Sequence, residues 1–412
     1  MTTLYVTVPG SQLVDRHGCF YLVYPQQQLE LLPVSECDRI VLFGNCRIHR
    51  KTERAIASHR ISILLLDRLG NLLGRTDWPD ESPPAKYSAC QQSRLSAQPP
   101  QPPQPPLTKG GQRGGSSDTA ESIVRAKLHN QRTVLLRHCR FYVSPTVASA
   151  MEILALLAED LSNVLTIEQL GDRAATADRV YAQALVELLW WGGNGCKSDR
   201  LLWQRLGNTL LREAIYDLVR NTGLDPHLGI SMGNKVLADD LPLVADFAAE
   251  LAPLFADSLA VTFSNTSMHY GNGNSASHLA NSAIENIAPP SGQSKRQTPH
   301  PNYAIASFIA NWERQWDTEI IHPRVGTLTY RQCLEFQVRE YLAFVLGDLD
   351  CYRPMLAIER TVPESRSGGH GSAVSLQSKP MAAPKTYRTT PYIADWCVTA
   401  RNNTLPVVLI NA

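Results

Sequence analysis

The sequence predicts an α+β protein, in which a β-rich domain at the N-terminus is followed by a larger all-α domain. Three observations lead to this fold class. Short apolar runs alternate with turn residues over residues 1–76, a proline- and glycine-rich tract covers residues 77–117, and apolar residues recur at helical spacing over residues 118–355. Residues 356–412 mostly lack such a pattern, which predicts a poorly ordered loop and a C-terminal tail.

Composition and charge limit the classes of protein to which this chain can belong. The chain has 412 residues, of which 43% are hydrophobic and 19% are charged, so it can bury a sizeable core in more than one domain. Its formal net charge is only +1, so a nucleic-acid surface would have to be local. Nine cysteines occur without CxxC pairs, and no apolar run is long enough to span a membrane. These features predict a cytoplasmic protein with reduced thiols, no zinc cluster and no membrane segment.

The first 76 residues carry the pattern of short strands joined by tight turns. Apolar runs predict strands at 4–8, 20–24, 29–32, 39–43 and 61–66, with a short helix at 51–58. Gly44-Asn45 and Gly70-Asn71 are the turn signals that follow two of these strands. The pattern predicts a small β module and by itself indicates no function.

The tract at 77–117 separates the two domains. Residues 98–106 repeat proline and glutamine, which favours an extended polyproline conformation, and residues 110–117 are rich in glycine and serine. We interpret the tract as a linker, with a ligand for an aromatic groove on a partner as the alternative.

A helix predicted at residues 118–140 combines one apolar edge with stripes of cations and amides. Asp118 and Glu121 have the spacing of a capping box, and apolar residues fall on one edge. Cations and amides occupy the other stripes, where they have the chemistry that binds phosphates and bases. The candidate DNA-binding residues are Lys127, Asn130, Gln131, Arg132 and Arg137. The alternative is a solvated surface face, because charged runs usually are only that.

The rest of the chain is predicted to be mostly helical. Helical spacing marks residues 147–157, 167–191 (one or two helices), 201–221, 241–263, 303–316 and 330–346, and Gly223 is placed to end the third of these. Residues 265–301 and 363–389 lack periodicity and are predicted to be inserted loops. Residues 407–410 of the tail, at 392–412, have the composition of a strand that can pack back on the fold.

Several segments occur in the order that is typical of one known family. They are DRIVLFGN near the N-terminus, AESIVRAKLHNQRTVLLRH from residue 120, NTLL from residue 208, TGLDPHLG from residue 222, LPLVADFAAELAPLFADSL from residue 241, and YRQCLEFQVREYLAFVLGDLDCYRP from residue 330. Together they resemble the CRISPR-associated protein 1 family, the spacer-acquisition integrases. The resemblance covers roughly residues 3–76 and 118–355.

The resemblance implies a function and a set of partners. It implies a CRISPR adaptation protein of antiviral defence, a nuclease or hydrolase that cuts and joins DNA with magnesium or manganese. It also implies that residues 1–76 form a homodimer and support a CRISPR-associated protein 2 subunit. The helix at 118–140 would lie near DNA, either duplex or branched.

The positions of the family's catalytic metal ligands are where this chain departs from the family. The resemblance implies a glutamate, a histidine and a carboxylate as ligands. Counting back from Arg179 and Tyr181 puts Ala174 at the glutamate, whereas counting forward from Leu170 puts Arg173 there. The histidine position is Met232 and the carboxylate position is Ala249.

Other acidic residues nearby leave the question of catalysis open. A remnant metal site could use Asp172, Asp178, Asp246 and Glu250, and His227 is either a displaced imidazole or a packing and capping residue. An inward-facing Arg173 would replace the metal by a fixed cation. Three hypotheses follow: a working metal-dependent endonuclease and integrase, a catalytically inactive homologue that binds DNA as a structural subunit, or an unrelated scaffold.

Overall fold

The structure is a computed structural model that describes residues 2–8, 10–24, 27–76, 85–96, 115–139, 144–161, 166–190, 197–230, 241–266, 301–357 and 408–410. It confirms the predicted fold class, with β structure at the N-terminus followed by helices. The polyproline tract, residues 267–300 of the first predicted insertion, the second insertion at 363–389 and Met232 lie outside these ranges.

Among the described residues, the N-terminal domain consists of two sheets, one α-helix and a short 3-10 turn, Val34–Glu36. Its elements are β1 (Thr3–Val6), β2 (Gln12–Arg16), β3 (Cys19–Tyr24), β4 (Gln27–Pro33), β5 (Arg39–Phe43), β6 (Arg47–Ile48), α1 (Arg50–Ser58), β7 (Ser62–Leu66) and β8 (Leu72–Arg75). The five predicted strands and the short helix therefore form. The strands β2, β6 and β8 were not predicted, because each is short and carries polar residues.

The two sheets differ in topology. The five-stranded sheet has the order β11-β1-β5-β7-β8, where β11 (Val408–Ile410) is the strand predicted in the tail and pairs parallel to β1. Strands β1, β5 and β7 are parallel, with α1 in the connection between β5 and β7, and β8 runs antiparallel to β7. The four-stranded sheet has the order β4-β3-β2-β6.

The five-stranded sheet is covered on both faces. Leu4 and Val6 of β1 pack in the core shared with the four-stranded sheet, whereas Tyr5 between them belongs to the core of the helical domain. This division follows from the strand period of two, which sends alternate side chains to opposite faces. The sheet is thus the layer that joins the two domains.

The helical domain contains nine described helices and one hairpin. The helices are α2 (Ser88–Ser96), α3 (Gly115–His138), α4 (Pro145–Asp160), α5 (Ile167–Trp190), α6 (Lys197–Asn221), α7 (Pro242–Leu251), α8 (Ser258–Thr266), α9 (Pro301–Trp316) and α10 (Tyr330–Leu346). The strands β9 (Glu319–His322) and β10 (Gly326–Thr329) form an antiparallel hairpin that the sequence did not predict. No helix within the described ranges is long and apolar enough to cross a membrane.

Two elements differ from the sequence prediction for physical reasons. Helix α2 lies inside the predicted linker, in a stretch that lacks proline and glycine, and its buried Gln91 exchanges hydrogen bonds with the backbone of Asp225. The helix predicted at 241–263 is divided, because Pro253 lacks the backbone N–H that a continuous α-helix uses. A π-helical turn, Pro253–Asp257, separates α7 from α8.

A close approach at one turn fixes the N-terminal domain against α6. Gly70 has φ +77°, and a Cβ atom there would lie 3.0 Å from the Leu206 Cα atom. Glycine is required because other residues strain at this φ and the space is already filled. The Thr209 hydroxyl donates a hydrogen bond of 2.8 Å to the Gly70 carbonyl oxygen.

Candidate functional site

Helix α3, the predicted DNA-binding helix, lies within the helical domain rather than on its rim. Lys127 is 9% exposed, and its Nζ atom lies 2.7 Å from Asp178 Oδ2 of α5. Gln131 is 3% exposed and donates a hydrogen bond of 3.0 Å from Nε2 to Asp178 Oδ1. Two of the predicted DNA-binding side chains therefore hold α3 against α5.

Asn130 is also an interior residue. Its Nδ2 atom donates to the carbonyl oxygens of Glu250 and Met355, both at 2.9 Å. Its Oδ1 atom accepts a hydrogen bond of 2.9 Å from the Ala357 backbone N–H. The side chain thus satisfies backbone groups of two distant segments, which gives it a packing role.

The expectation that α3 presents a broad polar face is corrected by these contacts. Arg132 and Arg137 are partly exposed, and DNA binding stays a prediction for them. For Lys127, Asn130 and Gln131, contact with DNA would require that buried hydrogen bonds open first.

The first metal-ligand position of the resemblance falls on α5. Ala174 is 2% exposed and faces the interior, whereas Arg173 beside it points outward and forms an ion pair of 2.6 Å with Asp160. The interior position is therefore the one obtained by counting back from Arg179 and Tyr181. Arg173 does not supply the fixed interior cation that the alternative register required.

Asp246 of α7, a candidate ligand, is used to hold a turn. It is 3% exposed, and its Oδ2 atom accepts a hydrogen bond of 2.6 Å from the Ile230 backbone N–H. A Cβ atom on the preceding Gly229 would lie 2.7 Å from the same Oδ2 and 2.4 Å from the Leu243 backbone nitrogen. Asp246 therefore clamps the TGLDPHLG turn onto the start of α7. His227 in this turn is exposed, and its backbone N–H donates to Asp225 Oδ1 at 2.9 Å.

Glu250, the second candidate ligand on α7, anchors the C-terminal segment of the helical domain. It is fully buried, its Oε1 atom accepts from the Met355 N–H at 2.6 Å, and its Oε2 atom accepts from the Tyr352 hydroxyl at 2.7 Å. Burial raises the pKa of Glu250 to about 7. Both carboxylate oxygens are thus engaged in packing the segment at 352–357.

A further buried carboxylate lies in the π-helical turn. Asp257 accepts hydrogen bonds from the Tyr181 hydroxyl at 3.0 Å, from Gln204 at 3.2 Å and from Asn208 at 3.3 Å. Burial raises the pKa of Asp257 to about 6. This network ties α5, α6 and the turn together, and the sequence did not single out Asp257.

The described residues do not fit the divalent metal that the resemblance implies. Magnesium and manganese require several oxygen ligands, and neither Ala174 nor Ala249 offers one. The carboxylates of Asp246, Glu250 and Asp178 already accept hydrogen bonds or an ion pair. Within the described ranges, no group of three or more His, Cys, Asp and Glu side chains could hold a metal ion.

A cationic stripe that the sequence prediction missed lies on the N-terminal domain. Arg47, Arg50, Lys51 and Arg54, in and before α1, are all exposed, and Glu53 is the only acidic residue between positions 47 and 54. No hydrogen bond or ion pair engages these four side chains among the residues that the structure describes. The signal was present in the segment RIHRKTER, which was interpreted only as a helix between strands.

One family model and one curated relative match parts of this chain. Residues 4–102 match the family described as CRISPR associated protein Cas1. Over 285 residues, the chain is 24% identical to CRISPR-associated endonuclease Cas1 2 of Rhodospirillum rubrum, a match that covers 64% of this chain and 76% of the relative.

Solved structures share the fold of the chain at low sequence identity. A CAS1 protein from Thermotoga maritima matches 84% of this chain and 97% of its own, with a TM-score of 0.54 and 15% identity. A casposase bound to integration product matches 90% of this chain and 96% of its own, with a TM-score of 0.56 and 13% identity. A Cas6-RT-Cas1--Cas2 complex matches 87% of this chain with a TM-score of 0.59 and 14% identity, and this chain spans 36% of that longer one.

Proposed function

Because this chain belongs to the CRISPR-associated protein 1 family, we propose that it acts in CRISPR spacer acquisition as a subunit that binds DNA without cutting or joining it. The observation that carries the proposal is the interior of the helical domain. There Ala174, which the resemblance puts at the first metal-ligand position, is buried, and the carboxylates of Asp246 and Glu250 are engaged by backbone N–H groups.

Metal-dependent cutting and joining of DNA strands requires oxygen ligands that converge on a divalent ion. A divalent ion activates the attacking oxygen and stabilises the leaving oxygen of a phosphodiester, which is worth several kcal/mol of barrier. The side chains described here hold helices and turns together and leave no convergent set of oxygens for that task. The family role in adaptation then rests on binding and assembly.

The α1 stripe supports DNA binding by the N-terminal domain. Arg47, Arg50, Lys51 and Arg54 form a local positive surface on a chain of nearly zero net charge. Side chains of this kind neutralise phosphates and release counterions, without reading the base sequence. Arg132 and Arg137 of α3 would add a second contact. The casposase of similar fold is bound to an integration product, which agrees with a DNA partner.

We also propose that the chain assembles with other subunits. A structure of similar fold is a complex with Cas2, which supports a Cas2-type partner for this chain. We also propose a homodimer through residues 1–76. Both faces of the five-stranded sheet are covered, so a second copy would meet the edge strand β8, where Leu72 and Leu73 are 38% and 66% exposed.

The proposed absence of DNA cutting and joining is tested by comparison with a chain in which the metal-ligand residue types are restored. We expect the native protein to neither nick nor join a branched duplex in magnesium or manganese. A chain with Ala174→Glu, Met232→His and Ala249→Glu regains the ligand types and is the positive comparison. Metal-dependent integration by the native chain would show that it is a working enzyme, and the proposal would then be wrong.

The proposed DNA binding by α1 is tested by the salt dependence of DNA affinity. The Arg50→Ala/Arg54→Ala variant should lower the slope of log K against log salt by about 1.8, since each lost phosphate contact contributes about 0.9. The Arg68→Ala/Arg205→Ala variant loses the same charge at two exposed positions outside α1 and is the matched control. Equal slopes in the two variants would refute DNA contact by α1.

A further inference from the structure

A cavity of about 280 Å³ lies between the five-stranded sheet and helices α6, α9 and α10. Ligand sites in proteins are typically roughly 300–1,000 Å³, so this volume suits a small, slender molecule. No part of the proposed function uses this cavity. Its charged lining residues are Arg39, Glu213, Asp217, Glu313, Arg331 and Glu335.

The charges around the cavity are only partly matched. Arg39 forms a close ion pair with Asp217, and Arg75 just outside lies 3.2 Å from Glu213. The Tyr5 hydroxyl donates a short hydrogen bond to Glu313. Among the described residues, these contacts leave Arg331 as the remaining cation of the lining. It is set against Glu313 and Glu335, which have no described cationic partner at contact distance.

Glu335 is the lining carboxylate that stands out. It makes no hydrogen bond or ion pair with any residue in the described part of the chain. Arg331, one helical turn before it on α10, lies over the Trp316 ring at 5.5 Å and 4.0 Å from Asp317, so it has contacts of its own. The lining thus carries net negative charge and one carboxylate that is available to a cation.

Two tryptophans supply the apolar part of the wall. Trp312 and Trp316 of α9 both line the cavity, with ring centroids 5.5 Å apart and planes at 86°. Arg331 already lies over the Trp316 ring, so the tryptophans serve as apolar surface against which the methylene chain of a ligand can pack. The wall therefore suits a ligand that has charged nitrogens and apolar carbons in alternation.

We propose that this cavity binds a linear polyamine. A single metal ion does not suit it, because no three ligating side chains of the described residues converge on one point. The carboxylates are instead distributed along α6, α9 and α10, so a ligand with several separated ammonium groups can reach more than one of them. Since the walls come from both domains, the bound polyamine would fix the N-terminal sheet on the helices.

The test uses the full chain without nucleic acid and spermidine as the probe. Calorimetric titration at fixed ionic strength should give saturable binding to one site, and magnesium chloride should give none. Glu335→Gln removes the available carboxylate without disturbing a native contact and should weaken binding about tenfold. Ala214→Met, on the α6 wall, should weaken it by filling the cavity.

A matched control separates this site from general attraction to acidic surfaces. Glu152→Gln removes an exposed carboxylate from α4, far along the chain from the cavity, and should leave the affinity unchanged. Absence of saturable spermidine binding to the native chain would overturn the proposal. Equal affinities of the native chain and the Glu335→Gln variant would overturn it as well, and so would equal losses in the Glu335→Gln and Glu152→Gln variants.

Discussion

Replacement of Glu250 by glutamine tests whether this carboxylate is a buried anchor or a metal ligand. The pKa of Glu250 is raised by burial from 4.5 to about 7. Glutamine has the same shape, and its Oε1 atom can still accept from the Met355 N–H. Its Nε2 atom can donate to the Tyr352 hydroxyl oxygen, which reverses the direction of that hydrogen bond, so the variant keeps both contacts and loses the ionisable group.

The sign and size of the effect follow from the pKa values. Because the folded-state pKa is the higher one, the folded chain holds the proton more tightly than the unfolded chain does. The resulting stabilisation is fully present below pH 4.5 and is lost as the pH rises through about 7. A difference of about 2.5 in pKa corresponds to about 3 kcal/mol. We therefore expect the free energy of unfolding of the Glu250→Gln variant to exceed that of the native chain by an amount that grows as the pH rises from 4.5 to 8. The largest difference should be about 3 kcal/mol.

The assay is urea denaturation followed by tryptophan fluorescence at pH 5, 6, 7 and 8. Glu152→Gln, at an exposed site on α4, is the control. Its free energy of unfolding should show the same pH dependence as that of the native chain. A constant difference between the native chain and the Glu250→Gln variant across this pH range would refute the reasoning. If manganese stabilised the native chain and not the variant, Glu250 would be a metal ligand and the interpretation of the interior would be wrong.

Two further predictions follow from the geometry. Lys127→Met removes the buried partner of Asp178, which is itself about a third exposed, so we expect a loss of about 1–2 kcal/mol in the free energy of unfolding, measured by urea denaturation. The same change should leave DNA affinity within about twofold, and a large drop in affinity with unchanged stability would instead place Lys127 at the DNA. Leu73→Glu at the β8 edge should convert a dimer to a monomer in sedimentation velocity, whereas Leu156→Glu, at an equally exposed leucine on α4, should not. A native chain that is monomeric at micromolar concentration would contradict the proposed dimer.

The N-terminal strands could be predicted because their signal is local. Leu4 and Val6 alternate with Tyr5, and this period of two is what a strand buried on both faces uses in assigning side chains to two cores. The helix α2 was missed because the surrounding proline-rich composition dominated the interpretation, although residues 88–96 themselves contain no helix breaker.

The candidate site was predicted less well because its partners are distant in sequence. The residue types in the polar stripe of α3 do not indicate whether the stripe faces solvent or packs against other segments. Asn130 is buried by the backbone of Glu250 and Met355, which are 120 and 225 residues away. The α1 stripe shows the reverse case, since four cations close together in sequence remain exposed in the fold. Counting within motifs offered both Ala174 and Arg173, and only the fold shows which of the two side chains is buried.

The hydrogen bonds between Asn130 and the segment at 352–357 affect the order in which parts of the protein fold during translation. Asn130 and Ala357 are 227 residues apart, so α3 leaves the ribosome long before its partner is made. Until then the Asn130 amide and the Glu250 carboxylate have only water or transient neighbours to satisfy them. The helical domain would therefore stay incompletely packed on a nascent chain and become fully cooperative only when its last segment closes over α3.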